Sequence, residues 1–414
     1  MINYQNFTLD NGLRVYLKQN NSLHSVGMTL GVNYGFFNEK NTENGCAHLL
    51  EHMVFEGTGG IKKKDLMEIL DENTVYWNGE TDAETISYTF KSFPSADFKS
   101  LFCTLKDMVF NSDFPSANLR NEKEAVINEI YGNFGGEMGL EGAIARAYLF
   151  RKNVNTFFGG NVDIVKKATK TKLLGIYEKY YSPRNMLLSV VGNFKEKEIK
   201  PLICDAFNDI DKSYNKPEIT VYTGNVNYRE INMHNFNPKK GQSNILFGIK
   251  FPGASDLYSK SNTVRASLVY IQNLLTSRFM ENLRNKLGIA YQAYADIQIN
   301  NNNGYLAVFS QVKSNNLEKA EDMLFDDITK IMEGEFNPEA VKDAKRIADI
   351  NLLEYIDSAL EHSKNLSDSF LLYGKTPYEL YKEYANITLD DLRSAANKYL
   401  KTKGEDNSVL LVSS

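Results

Sequence analysis

The sequence predicts an α+β fold in two similar halves, each a sandwich of an antiparallel sheet packed with helices. Three observations lead there. The chain has 414 residues, more than one ordinary domain holds. Short apolar runs bounded by turn signals alternate with stripes of apolar residues three and four apart. The end of the chain also echoes its middle. Leu392-x-x-Ala395-Ala396-x-Lys398-Tyr399-Leu400, followed by Ser408-Val409-Leu410-Leu411-Val412, repeats the order of Leu174-x-x-Tyr177-Glu178-x-Tyr180-Tyr181 and the strand to Val191.

The elements follow in order. Phe7 to Leu17 reads as a hairpin, because Asn11-Gly12 is a strong turn signal between alternating flanks. Ser25 to Tyr34 is a buried strand, and the polar loop Asn38 to Asn44 leads into a helix that begins near Cys46. Leu66, Ile69 and Leu70 mark a helix over Lys63–Asn73, and strands are predicted at Thr74–Glu80 and Glu84–Phe90. Helices are predicted at Ala96–Phe110, Asn118–Tyr131, Glu141–Phe150 and Lys170–Tyr181, then a strand at Met186–Gly192 and a helix to about Phe207.

The stretch 209–227 is polar, contains Pro217 and Gly224 and has no helical stripe. It reads as a linker, with a short strand at Ile219–Tyr222. Residues 1–208 then form one domain and 228–414 the other. In the second, strands near Arg229–His234 and Asn244–Phe251 precede an amphipathic helix through Val264, Leu268, Ile271, Leu275 and Phe279. Paired strands Ile289–Ile297 and Gly304–Val312 follow, then helices at Asn316–Met332, Pro338–Ile356 and Ala359–Leu372.

Composition removes several functions. Net charge is −5 with acids and bases interspersed and no long basic run, which argues against nucleic acid as a partner. No apolar run approaches the roughly 20 residues of a membrane helix. The N-terminus, Met1 to Asn6, shows no basic-then-apolar signal. Three dispersed cysteines, Cys46, Cys103 and Cys204, suit a reduced cytoplasm.

The chemistry concentrates in Cys46-Ala47-His48-Leu49-Leu50-Glu51-His52-Met53-Val54-Phe55-Glu56. On a helix, positions i and i+4 stand on one face, so His48 and His52 can offer two imidazoles to one metal ion. Glu51 beside them can reach a water in the metal's open position. This is the H-x-x-E-H arrangement. The ordinary alternative is a pair of hydrogen-bonded core histidines on an apolar helix, so a third ligand decides. Cys46 is two residues from His48 and falls on another face. His24, His234 and His362 stand alone. Glu122 and Glu129 both lie on the inner stripe of the Asn118–Tyr131 helix with Leu119, Val126 and Ile130; spacing does not choose between them.

These residues bring in a resemblance that covers nearly the whole chain. In order, the chain shows Leu9-Asp10-Asn11-Gly12-Leu13-Arg14-Val15, then Gly45-x-x-His48-Leu49-Leu50-Glu51-His52-Met53-Val54-Phe55-x-Gly57-Thr58, then Asn78-x-x-Thr81-x-x-x-Thr85-x-Ser87-Tyr88. Glu122-x-x-x-Val126-x-x-Glu129, Tyr180-Tyr181-Ser182-Pro183-x-Asn185-Met186 and Arg284-x-x-Leu287-Gly288-x-Ala290-Tyr291 complete the set. It resembles the pitrilysin family of inverzincin metallopeptidases, in the branch of mitochondrial processing peptidase and its short bacterial relatives.

The resemblance implies a zinc endopeptidase with one Zn2+ per chain. His48, His52 and Glu129 would be the ligands, Glu122 would orient a ligating imidazole, and Glu51 would be the general base. Arg284 and Tyr291 would act on bound peptide. Larger relatives close four such domains over the substrate as a clamshell, so this chain would supply half of the chamber and work as a dimer, with an identical copy or a related sister subunit. The strand Trp77-Asn78-Gly79 reads as a sheet edge to which a peptide substrate adds. At the place of the His helix, the second half has Leu268 to Met280, without histidine. Two departures stand out. Glu56 occupies a position that is commonly basic in the family, and Ile271 to Ser277 lacks the glycines of the non-catalytic processing subunit. The competing readings are a non-catalytic, peptide-presenting subunit and a peptide-binding chaperone with structural zinc.

Overall fold

The computed structural model describes residues 3–58, 60–133, 139–211, 222–234, 241–258, 261, 263–337 and 339–414. It divides into two compact units, one of Met1–Tyr131, Gly159–Thr220 and Ile350–Tyr378, the other of Gly132–Phe158, Val221–Asp349 and Glu379–Ser414. Most of the linker segment, 212–221, and with it most of the short strand expected at 219–222, lies outside the described residues.

The first unit contains β1 (Gln5–Thr8), β2 (Arg14–Gln19), β3 (Val26–Val32), a small hairpin of β4 (Gly57–Thr58) and β5 (Ile61–Lys62), β6 (Thr74–Thr81), β7 (Ile86–Ser92) and β8 (Met186–Gly192). Its main sheet has the order β1-β2-β8-β3-β7-β6. The turn after β1 uses Gly12 at φ 92°, a conformation that suits glycine. β3 and β8 are apolar except for Thr29 and Ser189 and are buried at every residue, in keeping with strands covered on both faces.

The second unit contains β9 (Arg229–Met233), β10 (Gln242–Pro252), β11 (Ala290–Ile299), β12 (Asn303–Lys313) and β13 (Ser408–Ser413), in the order β11-β12-β10-β13-β9. Its topology repeats that of the first. β2, β8, β3, β7 and β6 correspond to β9, β13, β10, β12 and β11 in both order and direction. Each sheet is antiparallel except for one pair, β2 with β8 and β9 with β13. That parallel pair refines the sequence reading: the first strand of each repeat lies beside its last, which returns through intervening helices.

The units do not follow the contiguous division at 1–208 and 228–414. Two helices are exchanged. Ala359–Tyr373, late in the chain, packs on β3 and β8. Thr29 Oγ1 and Ser363 Oγ are 2.9 Å apart, and Ser189 Oγ donates to the Ser363 carbonyl at 2.6 Å. Gly27 and Gly31 on β3 make room for it, since a Cβ there would strike the Ala359 carbonyl and the Ser367 hydroxyl. Conversely, Gly139–Phe150 packs on β10 and β13, where Asn244 Nδ2 and Ser413 Oγ donate to Glu141 Oε1 at 2.9 and 2.6 Å. Periodicity shows that a helix has an apolar face; it does not show which sheet covers that face. The structure adds the helices Val162–Lys167 and Ala254–Tyr258, too brief for a stripe to show in sequence, and Pro377–Ala385.

Candidate metal centre

The helix Cys46–Val54 lies between β3 and β6 in the chain. Its N-cap, Gly45, has φ 95° and no side chain to satisfy the first backbone N–H groups. Glu39, from the preceding polar loop, does so instead. Its buried carboxylate accepts from Gly45 N at 3.0 and 2.9 Å and from Ala47 N at 2.7 Å. Its negative charge also complements the positive end of the helix dipole.

His48 and His52 leave this helix one turn apart, and the helix Ser116–Asn133 brings Glu129 to them. His48 Nε2 lies 3.0 Å from Glu129 Oε2, and His52 Nε2 lies 3.6 Å from Glu129 Oε1. One ligand atom from each residue falls within 4.8 Å of the others; among the described residues no other such group of histidine, cysteine or carboxylate atoms occurs. Cys46 is buried and takes no part. Two bonds of 2.0–2.1 Å at a tetrahedral angle would separate their ligand atoms by about 3.3 Å. The separations of 3.0 and 3.6 Å, which end on the two different oxygens of Glu129, lie near that value. Two imidazole nitrogens and a carboxylate are also a donor set suited to zinc with a fourth position free.

Glu122 stands on the other side of His52, with Oε2 3.0 Å from Nδ1. A carboxylate at Nδ1 favours the tautomer protonated there, which would leave the Nε2 lone pair for a metal ion. Spacing left Glu122 and Glu129 as equals; the tertiary arrangement gives each a different nitrogen. Glu124 lies exposed in a separate surface cleft beside Arg120, Lys123 and Lys166.

Glu51 is 8 % exposed. Thr81 Oγ1, from the end of β6, donates to its Oε2 at 3.0 Å. Gly79 on the same strand lies against it, and a Cβ there would stand 2.5 Å from Glu51 Oε1. Burial raises the Glu51 carboxyl above its ordinary pKa, against His48, His52 and Thr81, which pull it down. Burial pulls the His48 imidazole down, but the hydrogen bond to Glu129 and the Glu51 and Glu129 charges outweigh it and leave His48 raised. The hydrogen bond to His48 lowers Glu129, which is half exposed, against a smaller effect of burial. Gly159 packs against the other side of His48; a Cβ there would lie 3.2 Å from Nδ1.

β6 carries β7 on one side only among the described residues, so Trp77, Asn78 and Gly79 are on a sheet edge beside the His helix. Trp77 packs against Phe55 in a tilted arrangement, with ring centroids 5.2 Å apart. Arg284 and Tyr291 belong to the second unit and are not members of the ligand group. Arg284 is exposed in a π-helical turn, Met280–Lys286. Tyr291 is 44 % exposed at a bulge of the edge strand β11, where the register with β12 shifts between Ala290 and Gln292.

Residues 14–133 match the model of the Insulinase (Peptidase family M16) domain, and residues 167–348 match that of the Peptidase M16 inactive domain. The chain belongs to the M16 peptidase family. The His helix lies within the first match and its histidine-free counterpart, Val264–Phe279, within the second, although the second match also takes in β8, a strand of the first unit.

Relatives align over nearly the whole of this chain. An uncharacterized zinc protease of Rickettsia felis is 24% identical over 96% of this chain and 95% of its own length. A probable mitochondrial-processing peptidase subunit beta of Arabidopsis thaliana is 22% identical over 96% of this chain and 76% of its own. Among solved structures, a protease from Helicobacter pylori shares the fold with a TM-score of 0.85 at 17% identity, covering 100% of this chain and 99% of that one.

Sequence reasoning missed Glu39, Lys63 and Gly159 and assigned no role to Thr81. Only Glu39 left a signal, as an acidic residue shortly before a helix start. No helix among the described residues is long and apolar enough to cross a membrane.

Proposed function

We propose that this chain is a zinc-dependent endopeptidase with one zinc per chain, held by His48, His52 and Glu129. The observation that carries the reading is the convergence of both Nε2 atoms on Glu129 while Glu122 engages Nδ1 of His52. Zinc, when bound there, lowers the pKa of a water molecule to about 7 and polarises the peptide carbonyl.

The chain's own residues supply the rest. Glu51, held by Thr81, takes the proton of the attacking water and returns it to the leaving amine. The edge strand β6 receives peptide through main-chain hydrogen bonds, which give affinity with little sequence preference. Gly79 keeps that edge close to Glu51. Short or unfolded peptides and leader segments are the substrates, since an added strand must be extended. The free thiols of Cys46, Cys103 and Cys204 are in keeping with a cytoplasmic setting.

Arg284 and Tyr291 act on substrate at the centre of a partner copy, either an identical chain or a sister subunit. Arg284 grips a substrate carbonyl and the Tyr291 hydroxyl supports the developing oxyanion. Their exposure on the second unit supports this role, because neither side chain is committed to the core.

The test is mass spectrometry of peptides cut by the wild type and by Glu51→Gln. Glu51→Gln is expected to keep zinc and lose about 10²–10⁴ of the rate. Cleavage at the wild-type rate would assign the base elsewhere, and zinc retention with no cleavage in either protein would make the metal structural. For the dimer, Arg284→Ala/Tyr291→Phe is mixed with Glu51→Gln, each inactive alone. Activity returns in mixed dimers if the pair acts in trans; mixed dimers that stay inactive rule this out.

A further inference from the structure

Glu122 engages two groups. Its Oε2 meets His52 Nδ1 at 3.0 Å, and its Oε1 lies 3.5 Å from Lys63 Nζ. Lys63 also pairs with Glu56, a carboxylate only 4 % exposed. A continuous chain therefore runs Glu56–Lys63–Glu122–His52.

Local structure brings each member into place. In the hairpin of β4 and β5, Gly57 stands opposite Lys62 and Thr58 opposite Ile61. The next residues outward, Glu56 and Lys63, close its open end. Asn118 Nδ2 donates to the Glu56 carbonyl at 3.3 Å, one helical turn before Glu122, and so fixes that helix against the hairpin.

Lys63 is also the first residue of the helix Lys63–Asn73. A cation there meets the positive end of the helix dipole. Its position needs an opposing attraction, and the two carboxylates supply it. Removing Lys63 would leave Glu56 buried without a counter-charge and near a second carboxylate, a costly arrangement. Exposed ion pairs contribute little. Lys63 itself is 46% exposed, but its partners are 4% and 15% exposed, and one of them holds a candidate metal ligand.

We propose that Lys63, anchored by Glu56, is a positioning residue for metal binding. It holds Glu122 in the orientation that accepts a hydrogen bond from His52 Nδ1, and through Glu122 it keeps the His52 Nε2 lone pair turned to the metal position shared with Glu129. The inference rests on the zinc reading above.

The experiment measures zinc affinity of the full chain by competition with a chromophoric chelator, with circular dichroism as the check on folding. Lys63→Met is expected to weaken zinc binding roughly 10–100-fold, the scale for partners of ligating imidazoles. Lys63→Arg, which keeps the charge, is expected to recover most of that loss. In a Glu122→Gln background Lys63→Met should add no further loss, because the two act as one unit. Unchanged affinity in Lys63→Met would overturn the proposal. So would losses that multiply in the double variant, since Lys63 would then act independently of Glu122. If Lys63→Met does not fold, Glu56→Gln takes its place: it should weaken zinc binding when Glu122 is intact and add no loss in the Glu122→Gln background, whereas no loss when Glu122 is intact, or equal losses in both backgrounds, overturns the proposal. A failure of the zinc reading looks different: the wild type binds no zinc, or Glu129→Gln binds as tightly as the wild type, and the proposal falls with it.

Discussion

Glu129 and Glu124 share one helix and face different surroundings. The first meets both histidines, while the second lies in a surface cleft with Arg120, Lys123 and Lys166. Glu129→Gln is therefore expected to reduce zinc content strongly and Glu124→Gln to leave it unchanged, as measured by metal analysis of the purified variants. Equal retention in both would remove Glu129 from the ligand set. His362 supports a second prediction, away from the metal centre. It is buried, with Tyr4 Oη 2.8 Å from its Nε2. Burial, and secondarily the Lys18 charge, lower its pKa from 6.5 to about 4. A lowered histidine is neutral in the fold while the unfolded chain takes up a proton. Stability from this group is thus complete above about pH 6.5 and is lost as pH falls toward 4, by up to about 3 kcal/mol. Denaturant titrations at pH 7 and pH 5 should show a larger drop for the wild type than for His362→Gln; equal drops would mean that His362 does not titrate this way.

At the scale of elements, the His helix depends on a cap that comes from outside it. Glu39 serves the N–H groups of Gly45 and Ala47 from a loop, at the positive end of the dipole. Glu39→Ala should lower stability by about 1–3 kcal/mol, the range for leaving buried donors unsatisfied. Glu39→Gln should lose less, because the amide oxygen still accepts. Denaturant midpoints of the two variants test the order; a harmless Glu39→Ala would mean that water or the backbone replaces the cap. The hairpin of β4 and β5 has a comparable role, since it turns two residues seven positions apart into neighbours, Glu56 and Lys63. The buried acidic residue at position 56 is thus balanced by a lysine on the next helix.

The whole molecule is two topological repeats that exchange a helix. Residues 1–227 include all strands of the first sheet but lack Ala359–Tyr373, the helix that covers β3 and β8. Expressed alone, that fragment is expected to aggregate or stay unfolded, because the face of two fully buried strands would meet water. Joining residues 350–378 to it through a flexible linker should restore a cooperative transition, observed by circular dichroism and thermal melting. A fragment 1–227 that melts cooperatively by itself would show that the exchanged helix is dispensable. The same exchange makes Gly27 and Gly31 sensitive positions, since side chains there would push against a helix more than three hundred residues away in sequence.

What the sequence determined by itself was local. The i, i+4 spacing of His48 and His52, the turn at Asn11-Gly12, the strands over Val26–Val32 and Met186–Gly192, and the order of elements in the two halves depend on contiguous residues and their periodicity. The tertiary structure decided what distant segments do to one another. It gave Glu129 the two Nε2 atoms and Glu122 the Nδ1, though both glutamates share a helix face. It linked Glu39 to a helix it does not belong to, and Lys63 to Glu122. It also sent Ala359–Tyr373 to the first sheet and Gly139–Phe150 to the second. The physical reason is the same in each case. Periodicity reports that a face is apolar or that a side chain points one way, whereas a partner is chosen by the fit of two surfaces, such as the small residues Gly27, Thr29 and Gly31 against Ser363 and Ser367, which only meet once the chain has folded.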